Sequence, residues 1–169
     1  MSKLIARTIE EQVLENLVPN KAIALLGPRL VGKTVLIHRI MKGFNEPYLL
    51  LNGEDMDVRQ ILAQRSTQHY LNLLGNSRIL IIDEAQRIPE VGKILTLMVD
   101  EIEGIRILVT GSSAFDLNHY TGEPLIGRKK TFHLFALSEE EFNTLCIKLV
   151  GILNEGIFSS IKALRSLVA

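Results

Sequence analysis

Five short apolar runs set the main constraint on this chain: AIALL at 22–26, YLLL at 48–51, RILIIDE at 78–84, IRILVT at 105–110 and TFHLF at 131–135. None alternates apolar with polar residues, so each suits a strand buried on both faces. Segments of helical character lie between them, at 33–43, 56–74 and 90–103. Strands that alternate with helices imply right-handed crossovers and a parallel sheet covered on both sides. The expectation is a doubly wound α/β fold of three layers, a central parallel sheet flanked by helices. Upstream, Ile5, Ile9, Val13 and Leu17 stand four apart, which predicts a helix over 4–17 that Pro19 and Asn20 stop.

A chain of 169 residues is long enough for one domain with a sizeable core. Nineteen basic and nineteen acidic side chains cancel, so bulk charge gives no pull towards nucleic acid or anionic membranes, although a local basic patch such as Arg128-Lys129-Lys130 stays open. That cluster reads better as a solvated strand start than as a contact to nucleic-acid phosphate. The single cysteine, Cys146, has no internal partner, and His38, His69, His119 and His133 lack ligand spacing, which together fit a reducing, cytoplasmic setting without a structural metal. No apolar run approaches the roughly 18 residues of a membrane span. Residues 145–169 read as one or two apolar helices broken near Gly151 and Gly156.

The stretch GPRLVGKT, residues 27–34, follows the first apolar run and opens the first helical segment. That context gives G-x-x-x-x-G-K-[ST] a physical meaning. Gly27 and Gly32 allow backbone conformations closed to residues with a Cβ, so the N–H groups of the loop can turn inward around phosphate oxygens. The helix start adds unpaired N–H donors and partial positive charge. Lys33 can reach β- and γ-phosphates, and the Thr34 hydroxyl can ligate Mg²⁺. The expected nucleotide cradle is Gly27, Pro28, Arg29, Leu30, Val31, Gly32, Lys33, Thr34 and Val35, in which Arg29 either touches phosphate or pairs with an acid.

RILIIDEAQ is an apolar strand that ends in two acids, and ligands of parallel sheets sit at such strand ends. Asp83 is expected to hold Mg²⁺ together with Thr34, and Glu84 to orient and deprotonate the attacking water. A third strand ends in TGSS at 110–113, residue types that favour a helix N-cap. In P-loop ATPases with a catalytic glutamate, which the loop and the acidic strand resemble, a polar residue at such a tip touches γ-phosphate or water, so Thr110 or Ser112 is either that sensor, a cap, or both. The ligand these residues imply is a nucleoside triphosphate with Mg²⁺.

GPRLVGKT, IDEAQRIPEVGKIL, VTGSSAFDL and GEPLIGRKKTFHLFALSEEEF, in that order, resemble the ATPase domain of a large prokaryotic family of AAA-superfamily proteins, usually followed by a C-terminal domain of unknown function. The resemblance covers about residues 3 to 142. It implies the P-loop NTPase fold, with an extra strand between the loop strand and the acidic strand, and ATP binding and hydrolysis with Mg²⁺. The implied organisation is an AAA-type domain over 1–142 and a short helical segment over 143–169. Arg128 resembles the arginine that many AAA ATPases place before their last core strand, which implies action on a neighbour's γ-phosphate and hence a homo-oligomer; the alternative is an ion pair with an acid such as Glu123. After LSEEEF the family continues, whereas this chain stops within thirty residues, so the resemblance also implies a fragment, a shortened copy or an excised domain, without a full helical lid or the C-terminal domain. Two other functions stay open: a nucleotide-dependent binding module without turnover, and a small nucleotide kinase, against which stands the lack of an arginine-rich lid. The expected client is an unidentified protein or nucleic acid.

Overall fold

The computed structural model describes residues 7–113, 125, 127–144, 146–147 and 150. By contact the chain divides into residues 9–135 and a second unit made of residues 1–8 with 136–169. The first unit contains, in chain order, α1 (Ile9–Asn16), β1 (Lys21–Leu26), α2 (Lys33–Met41), β2 (Tyr48–Asn52), α3 (Met56–Leu62), α4 (Thr67–Leu74), β3 (Ile79–Asp83), a 3₁₀ turn (Ala85–Arg87), α5 (Val91–Glu101), β4 (Arg106–Gly111) and β5 (Lys129–His133).

All five strands run parallel in the order β2-β3-β4-β1-β5. Alternate strand residues therefore face opposite sides, and each side has its own core. Ala22, Ala24, Leu80, Ile82, Ile107 and Val109 pack with Leu62, Tyr70, Leu95 and Met98 from α3, α4 and α5. Ile23, Leu25, Ile81 and Leu108 pack with Val13, Leu36, Ile37 and Ile40 from α1 and α2. This is the expected three-layer α/β fold, and β4 is the strand between the loop strand and the acidic strand. Truncating a fully buried residue of either core, such as Ile81, costs about 2–5 kcal/mol.

Local chemistry sets the element ends. Asp55 caps α3 by accepting from the Asp57 N–H at 2.9 Å, and Asn20 anchors the approach to β1 by donating to Val99 O and accepting from Gly104 N–H. The helical segment expected over 56–74 is two helices. Arg65 takes a left-handed φ of 43° and Ser66 caps a new start at Thr67, so the chain turns between α3 and α4.

A second correction concerns burial. β1, β3 and β4 are buried along nearly their whole length, but β2 and β5 are the sheet edges, and Tyr48 and Leu50 of β2 and Lys130, Thr131 and His133 of β5 reach solvent. An edge strand has a neighbour on one side only, so the flanking helices cover it less. The helix expected over 4–17 is seen over Ile9–Asn16, and residues 1–6 lie outside the described residues. In the second unit, residues 139–144 are helical; Cys146, Ile147 and Val150 are also helical, while most of the expected 145–169 helices lie outside the described residues. Among the described residues no helix is long and apolar enough to cross a membrane.

Candidate functional site

Strand register brings the predicted residues together. Leu26 pairs with Gly111, Asn52 with Asp83, and Ile82 with Val109, so the glycine loop, Asn52, Asp83 and Thr110 all lie at the carboxyl ends of adjacent strands. A cavity of about 670 Å³ opens there, lined by Arg29, Leu30, Gly32, Lys33, Thr34, Val35, Asn52, Glu54, Asp83 and Glu84. Its size suits a small-molecule ligand.

The loop is built as its glycines require. A Cβ on Gly27 would stand 2.3 Å from the Leu134 carbonyl oxygen, because the chain after β5 closes on the loop and the Leu134 N–H donates to Leu26 O at 2.6 Å. Gly32 has a φ of 94° and starts α2 with no side-chain cap on the first N–H groups of that helix. Lys33 is 6% exposed, and its ammonium donates to Gly27 O and Pro28 O, both at 2.8 Å. The charge is thus held at the loop's centre by carbonyls that phosphate oxygens can replace. Leu30, with a φ of 66°, is fully exposed at the tip, and Pro28 and Val31 complete the loop without lining the cavity. Arg29 stands 3.9 Å from Glu54 with both side chains exposed, so its acid partner is present and the pair is weak.

Asp83 is the hub of the opposite wall. The Thr34 hydroxyl donates to Asp83 Oδ2 at 2.9 Å, and the Thr110 hydroxyl donates to Oδ1. Thr110 lies wholly buried inside β4, and its oxygen accepts from the Glu84 N–H at 3.1 Å. Its hydroxyl is therefore engaged with Asp83 and Glu84. Ser112 follows the strand without such a contact. Glu84 itself sits in a left-handed conformation, φ 53° and ψ 42°, which turns its side chain out of the strand direction towards the cavity. Gln86 donates from Nε2 to Glu84 Oε2 at 2.5 Å.

Asn52 and Glu54 were not anticipated from sequence. The Asn52 side chain accepts from the Glu54 N–H at 2.9 Å, and Gly53 between them donates to Asp83 O at 2.8 Å. A Cβ on Gly53 would come within 2.4 Å of Glu84 O, so only glycine lets this loop lie against the acidic pair. The available signal was polar residues directly after an apolar run, YLLLNGE, at the ligand end of a parallel strand.

Arg128 is not with the others. Its carbonyl accepts from the Ala22 N–H, at the start of β1, whereas the glycine loop follows the end of β1. At about 3.3 Å per residue this places it roughly 15 Å from the carboxyl ends of the strands. Its guanidinium pairs with Asp100 of α5, while the alternative partner Glu123 lies outside the described residues. Lys130 donates to Asn16 at 2.7 Å and lies over the Phe132 ring, as a solvated strand start does. Among the described residues no cluster of three His, Cys, Asp or Glu could hold a metal.

The sequence profile of a family described as an AAA domain matches residues 19–143, and the chain belongs to that family. Uncharacterised proteins of Mycobacterium bovis and Mycobacterium tuberculosis are each 34% identical over 117 residues, which is 69% of this chain and 25% of theirs. One from Methanocaldococcus jannaschii is 28% identical over 140 residues, 81% of this chain and 31% of its own length. The chain thus spans between a quarter and a third of the curated relatives it matches. Among solved structures, Pif1 helicase from Candida albicans matches with a TM-score of 0.51 at 14% identity, over 88% of this chain and 44% of the helicase. Bacteroides Pif1 bound to single-stranded DNA gives 0.54 at 10% identity, over 85% of this chain and 45% of that one. These structures share the fold of a P-loop NTPase, and the chain is a nucleotide-binding member of that class.

Proposed function

We propose that this domain binds ATP with Mg²⁺ and hydrolyses it, using Lys33 and the glycine loop to hold phosphate and Glu84 as the base. The observation that carries the reading is the contact of Thr34 with Asp83, at 2.9 Å, beside the buried ammonium of Lys33. A hydroxyl and a carboxylate oxygen from two distant segments meet where phosphate would lie.

That donor set fits Mg²⁺, a hard cation that takes oxygen ligands and is often bound through one or two carboxylates plus substrate phosphates. Thr34 and Asp83 would hold it, and it would supply charge neutralisation between β- and γ-phosphate oxygens. The chain's own groups do the remainder. Uncapped N–H groups at the start of α2 and the Lys33 ammonium stabilise phosphate charge. Glu84 accepts the proton of a water aligned with the γ-phosphorus, and its carboxylate faces the cavity for that purpose. Thr110 touches neither substrate nor water in this scheme; it fixes Asp83 and the Glu84 peptide in register. Partners consistent with the reading are the nucleotide, a second copy of the chain, and a protein or nucleic-acid client.

The test is a calorimetric titration with ATP and Mg²⁺, followed by phosphate release from wild type and Glu84→Gln. We expect both to bind, with release from the variant lower by at least about a hundredfold, the usual contribution of a positioned base. Equal rates would remove Glu84 from the role of base, and no binding by wild type would overturn the reading. Binding without phosphate release would favour a nucleotide-dependent module, and phosphorylation of an added nucleoside a kinase.

A further inference from the structure

We propose that Gln86 is a positioning residue for Glu84, an assignment that rests on the reading of Glu84 as the base. The motif IDEAQ places Gln86 two residues after Glu84, with a 3₁₀ turn over Ala85–Arg87 between strand and helix. That turn is anchored. Ala85 is fully buried and Ile88 nearly so, and the Arg87 and Ile88 N–H groups donate to Glu84 O and Ala85 O at 3.0 Å. Gln86 is therefore carried by a fixed piece of backbone rather than by a mobile loop.

From that turn its Nε2 donates to Glu84 Oε2 at 2.5 Å. The orientation of the amide follows from chemistry, since the opposite one would set two acceptors against each other. Its Oε1, meanwhile, is buried and has no hydrogen-bond partner among the described residues. A buried acceptor with no donor is costly, so local stability alone does not favour this pose of the amide. The charge-assisted contact with Glu84 offsets that cost. Glu84 needs such support because its left-handed backbone swings the side chain away from the strand, and among the described residues Gln86 engages one of its carboxylate oxygens. With Oε2 held by Gln86, Oε1 is left to meet a water.

Two substitutions and one spectrum test this. Gln86→Met keeps length and apolar volume but removes the donor, so kcat for ATP should fall about tenfold or more while KM and ATP affinity change less than about twofold. Because the effect runs through Glu84, adding Gln86→Met to Glu84→Gln should lower the residual rate no further. An equal loss in both backgrounds, or a fall in melting temperature with kcat unchanged, would make Gln86 merely structural. The Gln86 side-chain amide followed by ¹⁵N NMR supplies a readout that needs no turnover: its resonance should move on Glu84→Ala. A resonance that stays in place would overturn the contact and the proposal with it. If wild type releases no phosphate, or Glu84→Gln matches it, the base assignment fails by itself, and the NMR shift still decides whether Gln86 holds Glu84.

Discussion

The Thr34 hydroxyl and the Asp83 carboxylate, 49 residues apart in the chain, meet at 2.9 Å across the mouth of the cavity. Each is a weak metal ligand alone, and in the proposed function the two together would make the binding of nucleotide depend on a divalent ion. Thr34→Ala should therefore leave ATP affinity without Mg²⁺ nearly unchanged and reduce the gain on adding Mg²⁺ by about tenfold. Paired titrations with Mg²⁺ and with chelator check this; an undiminished gain would place the ion elsewhere.

Lys33 is the one cation buried at the centre of the loop, where its charge is least screened by water. In the proposed site, Lys33→Ala removes the buried point charge that would face the β- and γ-phosphates. It should weaken ATP binding by about a hundredfold or more in calorimetry. It should also lower melting temperature slightly, since it takes the donor from Gly27 O, in a buried contact, and from Pro28 O, in a part-buried one. Unchanged affinity would remove Lys33 from the phosphate site.

Thr110 carries a stability prediction. Its buried hydroxyl serves Asp83 Oδ1 and the Glu84 N–H at once, so Thr110→Val keeps the shape and removes one hydrogen bond from each, leaving only the 3.2 Å bond of the Glu84 N–H to Asp83 Oδ1 between them. The expected cost is about 1–3 kcal/mol in chemical denaturation, with hydrolysis reduced as well. A variant as stable as wild type would mean that water replaces the hydroxyl.

Glu141 fastens the second unit. Ser138 and Glu141 form a capping box, and the same carboxylate accepts from the Thr8 N–H and hydroxyl and pairs with Arg7 at 3.1 Å. Burial alone would raise its pKa, but the Ser138 and Thr8 N–H groups and the Arg7 charge outweigh it and hold the carboxyl below its ordinary 4.5. A lowered folded-state pKa stabilises fully above the unfolded value and is lost as pH falls through the folded one. The stability of this unit should thus decline below about pH 4.5, and Glu141→Gln should flatten that decline. Hydrogen exchange at Thr8 and Ser138, measured against pH, gives the answer; the same slope in both proteins would assign it to other carboxyls.

Much of the site was legible because its signals are local. A glycine loop between an apolar run and a helix, and an apolar run ending in Asp83-Glu84, each declare their position within a few residues, and the parallel sheet then has to bring their ends together. What the sequence did not disclose depends on order and register. Nothing in YLLL or TFHLF says that these strands lie at the edges, because edge position is decided by neighbours, and their exposure follows from it. Asn52 and Glu54 went unrecognised since they matter only once β2 is known to lie beside β3. Asp100 could not be named as the partner of Arg128, because 28 residues and the packing of α5 separate them.

Arg128 is the sharpest case of a motif residue away from the chemistry. Its own site is out of reach at the far end of the sheet, so catalytic action on a γ-phosphate requires a second copy of the chain. In solution the contact with Asp100 is a surface pair with both side chains more than a third exposed, of the kind worth about 0–1 kcal/mol, and is thus easily exchanged for a phosphate. An arginine supplied to a transferring phosphoryl group offers a planar, permanently charged fork worth about 10³–10⁵ in rate. If Arg128 acts this way, ATPase rate per chain should rise with protein concentration, Arg128→Ala should abolish the rise, and an equal mixture of Arg128→Ala with Glu84→Gln should recover part of the activity. Recovery is expected because one chain in a mixed pair keeps its base while the other supplies the arginine. The competing account, a structural ion pair, predicts that Asp100→Ala and Arg128→Ala lower melting temperature alike and change the rate little. A rate independent of concentration, with no recovery on mixing, would settle the matter in favour of the ion pair.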